Sequence, residues 1–96
     1  MPSNLTLKQF YYTYVLFSHK DGKRYVGWTN NLRRRIAEHN NGKNISTKSR
    51  LPLSLIYCEA CLSEDDAKQR EKYLKATVGR RFITKRLCNY LRTIQN

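Results

Sequence analysis

The chain has 96 residues, and its 19 lysines and arginines against 7 acidic residues give it a formal net charge of +12. A hydrophobic content of 40%, with seven tyrosines and three phenylalanines, excludes a disordered chain, and no apolar run approaches the ~20 residues of a membrane span. So large a positive charge indicates a negatively charged partner, with nucleic acid the first candidate and an anionic membrane surface the weaker one.

Residues 1–9 are interpreted as a short polar leader and residues 10–94 as a single domain. The leader lacks the basic and apolar regions of a secretory signal. Three cysteines in a small chain do not form a disulfide framework, so we expect a cytoplasmic protein.

Two strands and a tight turn are predicted first. The run from Phe10 to Ser18 is aromatic and β-branched, and "RYVGW" has the same character. Asp21-Gly22 lies in the turn between them, where Gly22 tolerates a positive φ. Gly27 within the second strand predicts a bulge or a close approach by another backbone.

A basic helix and a third strand follow. "NLRRRIAEHNNG" predicts a helix capped by Thr29 or Asn30 and ended by Gly42. A polar, basic loop leads to Pro52. "LSLIYCEA" is nearly all apolar, which predicts a strand buried on both faces.

The last third of the chain is predicted to be helical. Ser63 caps a helix whose first turn is acidic, whose apolar stripe runs Ala67, Leu74 and Val78, and which ends at Gly79. A final helix covers "RRFITKRLCNYLRTI". The predicted class is therefore α+β, a small three-stranded sheet flanked by helices in the order β-β-α-β-α-α.

Two charged positions do not fit these patterns. Glu71 falls inside the apolar stripe of its helix, and an inward carboxylate requires a cation, a donor or a metal. An intrahelical pair with Lys75, or a pair with Arg70, is the simpler explanation. Arg35 and His39 share one helix face near the buried stripe. Together Arg35 and Glu71 could form a phosphate-plus-metal site or a structural ion pair, and spacing does not decide between these.

An ordered set of motifs resembles the GIY-YIG nuclease superfamily, within it the small single-domain bacterial group. The set is Tyr12-Thr13-Tyr14, Tyr25-Val26-Gly27, Leu32-Arg33-Arg34-Arg35 and Arg70-Glu71, and the resemblance covers Tyr11 to about Leu91. Tyr12 and Thr13 replace the glycine and isoleucine of the first motif, at positions of backbone packing. Gly27 belongs to the second motif, and Asn89 is the counterpart of an asparagine that the family often has near the end of the domain.

The resemblance implies a metal-dependent endonuclease acting on DNA. Glu71 would hold Mg²⁺ or Mn²⁺, and Arg35 would bind phosphate oxygens. Either Tyr14 or Tyr25 would position or deprotonate the water, with a pKa lowered by neighbouring cations and the metal. His39 would assist by hydrogen-bonding a phosphate or a tyrosine.

The remaining basic surface is expected to bind the nucleic acid with little sequence preference. Trp28 could stack on an unpaired base, although ordinary packing is the simpler role. A monomer or weak dimer is expected. The residues assigned to this surface are Lys23, Arg24, Trp28, Arg34, Lys43, Lys48, Arg50, Arg80, Arg81 and Lys85.

Two other interpretations are open. The same fold could serve as a non-catalytic DNA- or RNA-binding module, including a ribosome-associated one, which makes no demand on Glu71. Cys58 and Cys61 have the interval of a zinc half-site, but only Cys88, His19 and His39 are available as further ligands. Cys58 is instead expected to be a small apolar residue of a buried strand.

Overall fold

A three-stranded antiparallel sheet organises the molecule, for which a computed structural model describes residues 8–94. The strands are β1 (Tyr11–Ser18), β2 (Arg24–Thr29) and β3 (Leu53–Cys61), arranged β2-β1-β3. The helices are α1 (Leu32–Asn40), α2 (Glu64–Lys75), α3 (Thr77–Arg86) and α4 (Cys88–Ile94), with a 3₁₀ turn at Lys48–Arg50. The predicted α+β class is confirmed. Most of the predicted leader lies outside the described residues.

The central strand is β1, not β3. Residues 13–16 of β1 are buried, whereas Leu53 is the one buried residue of β3 and Leu55 is 40% exposed. The prediction that the third strand is buried on both faces was therefore wrong. An apolar run does not reveal how many neighbours a strand has, and β3 has a single one at the edge of the sheet.

Each face of the sheet has its own core. Val15, Val26, Leu74 and Ile83 pack together on the face covered by α2 and α3. Tyr14 and Leu16, which alternate with Val15 along β1, pack instead with Leu32 and Ile36 of α1. The tyrosines of the two motifs therefore lie under α1.

The register of the β1–β2 hairpin brings the tyrosines close to each other. Tyr14 lies opposite Gly27, and Leu16 lies opposite Tyr25, so the two tyrosines are diagonal neighbours on one face. Gly22 has the predicted positive φ, at +71°. The Arg50 guanidinium fixes the turn through an ion pair with Asp21, with Nε 2.7 Å from Oδ2.

Helix α1 is capped by Asn31, not by Thr29 or Asn30. The Asn31 side chain accepts a hydrogen bond of 3.0 Å from the backbone N–H of Arg34. Gly42 follows the helix with a φ of +72°.

The C-terminal helices differ from the prediction at two points. Ser63 caps α2 as expected, but α2 ends at Lys75, and Val78 is 60% exposed rather than part of the buried stripe. Gly79 lies inside α3, where an added Cβ would overlap the backbone carbonyl of Tyr73. Leu87 interrupts the predicted last helix, which is divided into α3 and α4.

Candidate active site

Tyr14 lies at the centre of the site. Only 1% of its surface is exposed, and its Oη lies 2.9 Å from Nε2 of His39. A Cβ on Gly27 would lie 2.5 Å from the same Oη. The close approach that Gly27 permits is thus to the Tyr14 side chain rather than to another backbone, and the irregularity of the sheet lies between β1 and β3, at Val15/Leu16.

His39 is fully buried between the two tyrosines and a loop. Its ring centroid lies 5.7 Å from that of Tyr14 and 5.3 Å from that of Tyr25. Its Nδ1 lies 2.7 Å from Oγ1 of Thr47, which is also fully buried. Of the two partners proposed for His39, a tyrosine or a phosphate, the structure brings a tyrosine into contact.

Arg35 carries an unused hydrogen-bond donor. Its Nε lies 3.0 Å from Oε1 of Glu38, but this ion-pair contact does not have hydrogen-bond geometry. Among residues 8–94 it is the one buried side-chain polar atom without a hydrogen-bond partner. A buried donor of this kind has an energetic cost that a bound anion would remove.

The environment keeps Tyr14 protonated. Burial is the main cause that raises its pKa, and the neighbouring Tyr25 adds to the rise, while the Arg35 guanidinium opposes it. Neighbouring cations by themselves do not lower the pKa of Tyr14, because loss of hydration outweighs the effect of Arg35. The further lowering expected from the metal stays a prediction. Burial, followed by Arg35, lowers the pKa of His39, which favours a neutral imidazole.

Glu71 lies on α2, which packs on the other face of the sheet. Its side chain is 19% exposed, and its Oε2 lies 3.2 Å from Nζ of Lys75, the intrahelical pair considered from the sequence. Its carboxylate is close enough to Tyr14 to contribute to the raised pKa of the phenol. Helices α1 and α2 thus each bring a charged residue close enough to act on the Tyr14 phenol.

The residues fit a divalent ion held by one carboxylate. In the described part of the chain no three His, Cys, Asp or Glu side chains come together as a metal site. Mg²⁺ and Mn²⁺ accept one carboxylate together with waters and phosphate oxygens, so Glu71 alone is a suitable protein ligand. Lys75 would have to leave the carboxylate for this to occur.

The structure brings several of the predicted nucleic-acid-binding residues together on α3. Arg80, Arg81 and Lys85 line an open pocket of about 380 Å³ with Thr77 and Thr84. Arg24 reaches this helix from β2, because its guanidinium donates to Oγ1 of Thr84 at 2.7 Å and to the Arg80 carbonyl at 3.3 Å.

The other predicted binding residues have mixed positions. Lys23 lies in the turn after β1, and Lys43 and Lys48 lie in the loop after α1. The Arg50 guanidinium forms an ion pair with Asp21. Trp28 is half-buried, with Nζ of Lys68 5.2 Å from its ring centroid, and it lines a pocket of about 280 Å³ with Arg34 and Arg35.

Two further expectations concern the periphery. Asn89 is exposed on α4, and none of the hydrogen bonds within residues 8–94 joins it to Tyr14, Arg35 or Glu71. Cys58 is exposed, so its expected place in a buried strand was wrong, because β3 is an edge strand.

Sequence reasoning missed Thr47 altogether, since nothing in a polar loop marks which hydroxyl will contact a buried histidine.

A comparison with known protein families identifies the family of this chain. A family model described as "GIY-YIG catalytic domain" matches residues 10–86. This chain belongs to the GIY-YIG family. The match confirms the resemblance drawn from the tyrosine, arginine and glutamate motifs, and it relates the chain to a nuclease superfamily.

Similar GIY-YIG proteins come from several bacteria. The chain is 45% identical over 65 residues to a "UPF0213 protein" of Streptococcus pneumoniae serotype 4, covering 67% of this chain and 65% of that one. It is 44% identical over 66 residues to a "UPF0213 protein" of Bacillus licheniformis, covering 68% of this chain and 67% of that one. The chain thus spans about two thirds of the length of these relatives.

A solved structure has the same fold. The solution NMR structure of a UPF0213 protein from Bacillus halodurans is 30% identical to this chain, with a TM-score of 0.50, and covers 79% of this chain and 83% of that one. Together these relatives place the chain in a small bacterial GIY-YIG group. None of the helices within residues 8–94 is long and apolar enough to cross a bilayer.

Proposed function

We propose that this chain is a divalent-metal-dependent endonuclease that hydrolyses phosphodiester bonds in DNA, single-stranded or structured, with little sequence preference. The observation that carries the proposal is the buried Nε of Arg35, which lies beside the phenol of Tyr14 and has an ion-pair contact with Glu38 but no hydrogen bond. An arginine donor that makes no hydrogen bond within the protein suits the oxygens of a phosphate, which the planar guanidinium binds in a fixed geometry.

The two tyrosines have different proposed roles, activation of the water and orientation of the phosphate. Only 1% of the Tyr14 surface is exposed, and its contact with His39 supplies a proton acceptor for the phenol. Tyr14 is therefore the better candidate for activating the water. Tyr25 is half-buried, and its ring centroid lies 6.5 Å from that of Tyr14, where it can orient the phosphate in front of the water.

Glu71 is the proposed ligand of Mg²⁺ or Mn²⁺. When bound, the ion would neutralise charge on the phosphate and on the leaving 3′ oxygen. The Glu71 carboxylate, like the Arg35 guanidinium, is close enough to the Tyr14 phenol to act on its pKa. Lys75 can turn toward the nucleic acid once it leaves the carboxylate.

The basic surface would hold the rest of the substrate. Arg24 and the α3 cations lie around one open pocket, and Lys43 and Lys48 lie in the loop after α1. Trp28, beside Arg34, offers a ring on which an unpaired base can stack. A monomer or weak dimer and a cytoplasmic location stay predictions from the sequence.

One observation favours a second function, a basic DNA- or RNA-binding module without catalysis. The Lys75 ammonium already neutralises Glu71, so the carboxylate does not require a metal for its stability. Such a module would bind nucleic acid equally well with or without Glu71.

A cleavage assay separates the two functions. Labelled single-stranded, duplex and branched DNA, and a matched RNA, are incubated with the protein in Mg²⁺, in Mn²⁺ and in chelator. Glu71→Gln should abolish metal-dependent cleavage and leave binding intact. Glu64→Gln is the matched control, because Glu64 lies on the same helix and pairs with Lys68 at i+4, 2.8 Å away. Binding without cleavage by the unsubstituted chain, whichever metal is present, would identify the binding module.

A further inference from the structure

A continuous chain of buried hydrogen bonds runs from β1 through α1 into the loop that follows. Tyr14 Oη meets His39 Nε2 at 2.9 Å, and His39 Nδ1 meets Thr47 Oγ1 at 2.7 Å. The exposed fractions of these residues are 1%, 0% and 0%. Because these side chains have almost no contact with bulk solvent, His39 and Thr47 depend on each other and on Tyr14 for their hydrogen bonds.

The order of donors along this chain follows from the state of the phenol. Burial raises the pKa of Tyr14, so the phenol carries its proton at neutral pH, and its hydrogen-bond partner is His39 Nε2. A neutral imidazole has one donor and one acceptor nitrogen. If Nε2 accepts from Tyr14, then Nδ1 carries the proton and donates to Thr47.

We propose that Thr47 is a positioning residue for hydrolysis, which holds His39 with its proton on Nδ1 so that Nε2 receives the proton of Tyr14. The inference rests on the proposed nuclease function. As water attacks phosphorus, the proton of the water moves to Tyr14 Oη while the proton of Tyr14 moves to Nε2. The new P–O bond forms, the bond to the 3′ oxygen breaks, and that oxygen takes a proton from solvent.

This relay removes the need for a free phenolate. His39 ends the step as an imidazolium, and it returns its proton to solvent through Tyr14 before the next cycle. Tyr14 is never ionised by itself, which is consistent with its burial. The reaction instead requires a neutral His39 at the start.

The groups around His39 determine the pH range in which its imidazole is neutral. It faces Tyr14 of β1 and Tyr25 of β2, and the charges of Arg35 and Glu38 reach it within α1 itself. From the loop it meets the uncharged hydroxyl of Thr47. Of the two charges, Arg35 opposes protonation and Glu38 favours it, so the low-pH limb of the kcat profile reports on His39.

Thr47→Val and Thr47→Ser test the inference in the full-length chain. Valine has the shape of threonine without the hydroxyl, whereas serine keeps the hydroxyl. We expect Thr47→Val to lower kcat about 10- to 100-fold with unchanged DNA affinity, as partners that orient an active-site group typically do. Thr47→Ser should restore most of the rate. Ring nitrogen shifts in ¹⁵N NMR should assign the proton of His39 to Nδ1 in the wild type and in Thr47→Ser, and no longer uniformly in Thr47→Val.

Each outcome has a distinct meaning. Wild-type kcat and an unchanged ring tautomer in Thr47→Val would overturn the relay while the nuclease function stands. If the valine variant unfolds, the serine variant and the wild-type spectrum still decide, because a wild-type His39 protonated on Nε2 overturns the inference. An inactive wild-type chain overturns the relay together with the proposed function.

Discussion

The backbone of Gly27 and the phenol of Tyr14 are in contact across the β1–β2 hairpin. An added Cβ at Gly27 would lie 2.5 Å from Oη and 2.6 Å from Cζ of Tyr14. The phenol is held between this backbone and the imidazole of His39. The glycine of the second motif thus fixes where the tyrosine of the first motif can lie.

Gly27→Ala should displace the Tyr14 ring and abolish cleavage. The ring has no free space to move into, so we also expect a loss of about 1–3 kcal/mol in the free energy of unfolding, the usual cost of overpacking. Gly22→Ala is the control, since that glycine has a φ of +71° and open space around it. The control should lose stability but cleave at saturating DNA like the wild type. Wild-type kcat in Gly27→Ala would contradict the role of Tyr14.

Arg35→Lys should lower kcat on the order of 10²-fold, because an ammonium does not reproduce the planar fork of donors proposed to bind the phosphate. Arg33→Lys, on the exposed side of the same helix, should leave kcat unchanged. Steady-state cleavage kinetics measure both. A kcat as high in Arg35→Lys as in Arg33→Lys would show that Arg35 supplies charge alone or no catalysis.

The stability of the protein should fall as pH drops below about 6.5, because burial lowers the pKa of His39 from its ordinary value of 6.5. Below that pH the unfolded chain binds a proton that the folded chain does not, so the unfolded state is stabilised relative to the folded state. The loss continues until the pH reaches the lower pKa of the folded state. Urea unfolding between pH 7 and pH 5 measures this slope.

His39→Gln should flatten that slope, and His19→Gln, at an exposed histidine, should leave it in place. A slope that survives in His39→Gln would assign the pH dependence to another group.

The α3 surface should govern the salt dependence of DNA binding. In Arg81→Gln/Lys85→Gln the slope of log Kd against log salt should become shallower by about 0.7 for each phosphate of a single strand that the protein no longer neutralises. Arg50→Gln should instead slightly lower the free energy of unfolding, since Arg50 pairs with Asp21 at the surface. If the α3 double variant and the wild type have equal salt slopes, the nucleic acid binds to a surface other than α3.

Gly79→Ala should destabilise the fold by about 3 kcal/mol, because α3 approaches α2 too closely for a side chain at this position. Thermal unfolding measures the change. Val78→Ala, at the exposed neighbouring residue, is the control and should differ little from the wild type. A stable Gly79→Ala variant would mean that the two helices separate without cost.

Local patterns predicted the strands, the Ser63 cap with the acidic first turn after it, and the shared face of Arg35 and His39. These features depend on spacing within one element. The position of β1 at the centre of the sheet could not be predicted, because it depends on pairings such as Tyr12 with Ala60, between residues 48 apart in the chain.

The candidate site was predicted residue by residue but not in its environment. The spacing of Tyr14 and Tyr25 identifies the motif in the sequence. The raised pKa of Tyr14 follows instead from its burial, to which α1 and the glycine across the hairpin contribute. The ion pair of Arg50 with Asp21 joins residues 29 apart in the chain, and sequence alone does not bring these two residues together. Thr47 belongs to a loop whose path is fixed only by tertiary contacts.

The central position of β1 also has a consequence for hydrogen exchange and folding. β1 pairs with β2 and with β3, so its amides are protected on both sides. The β1–β2 hairpin is local in sequence and can form early, whereas β3 completes the sheet only after a long loop closes. Amides of β1 should therefore exchange with solvent last, and Tyr14 is carried by the segment that opens only when the whole domain unfolds.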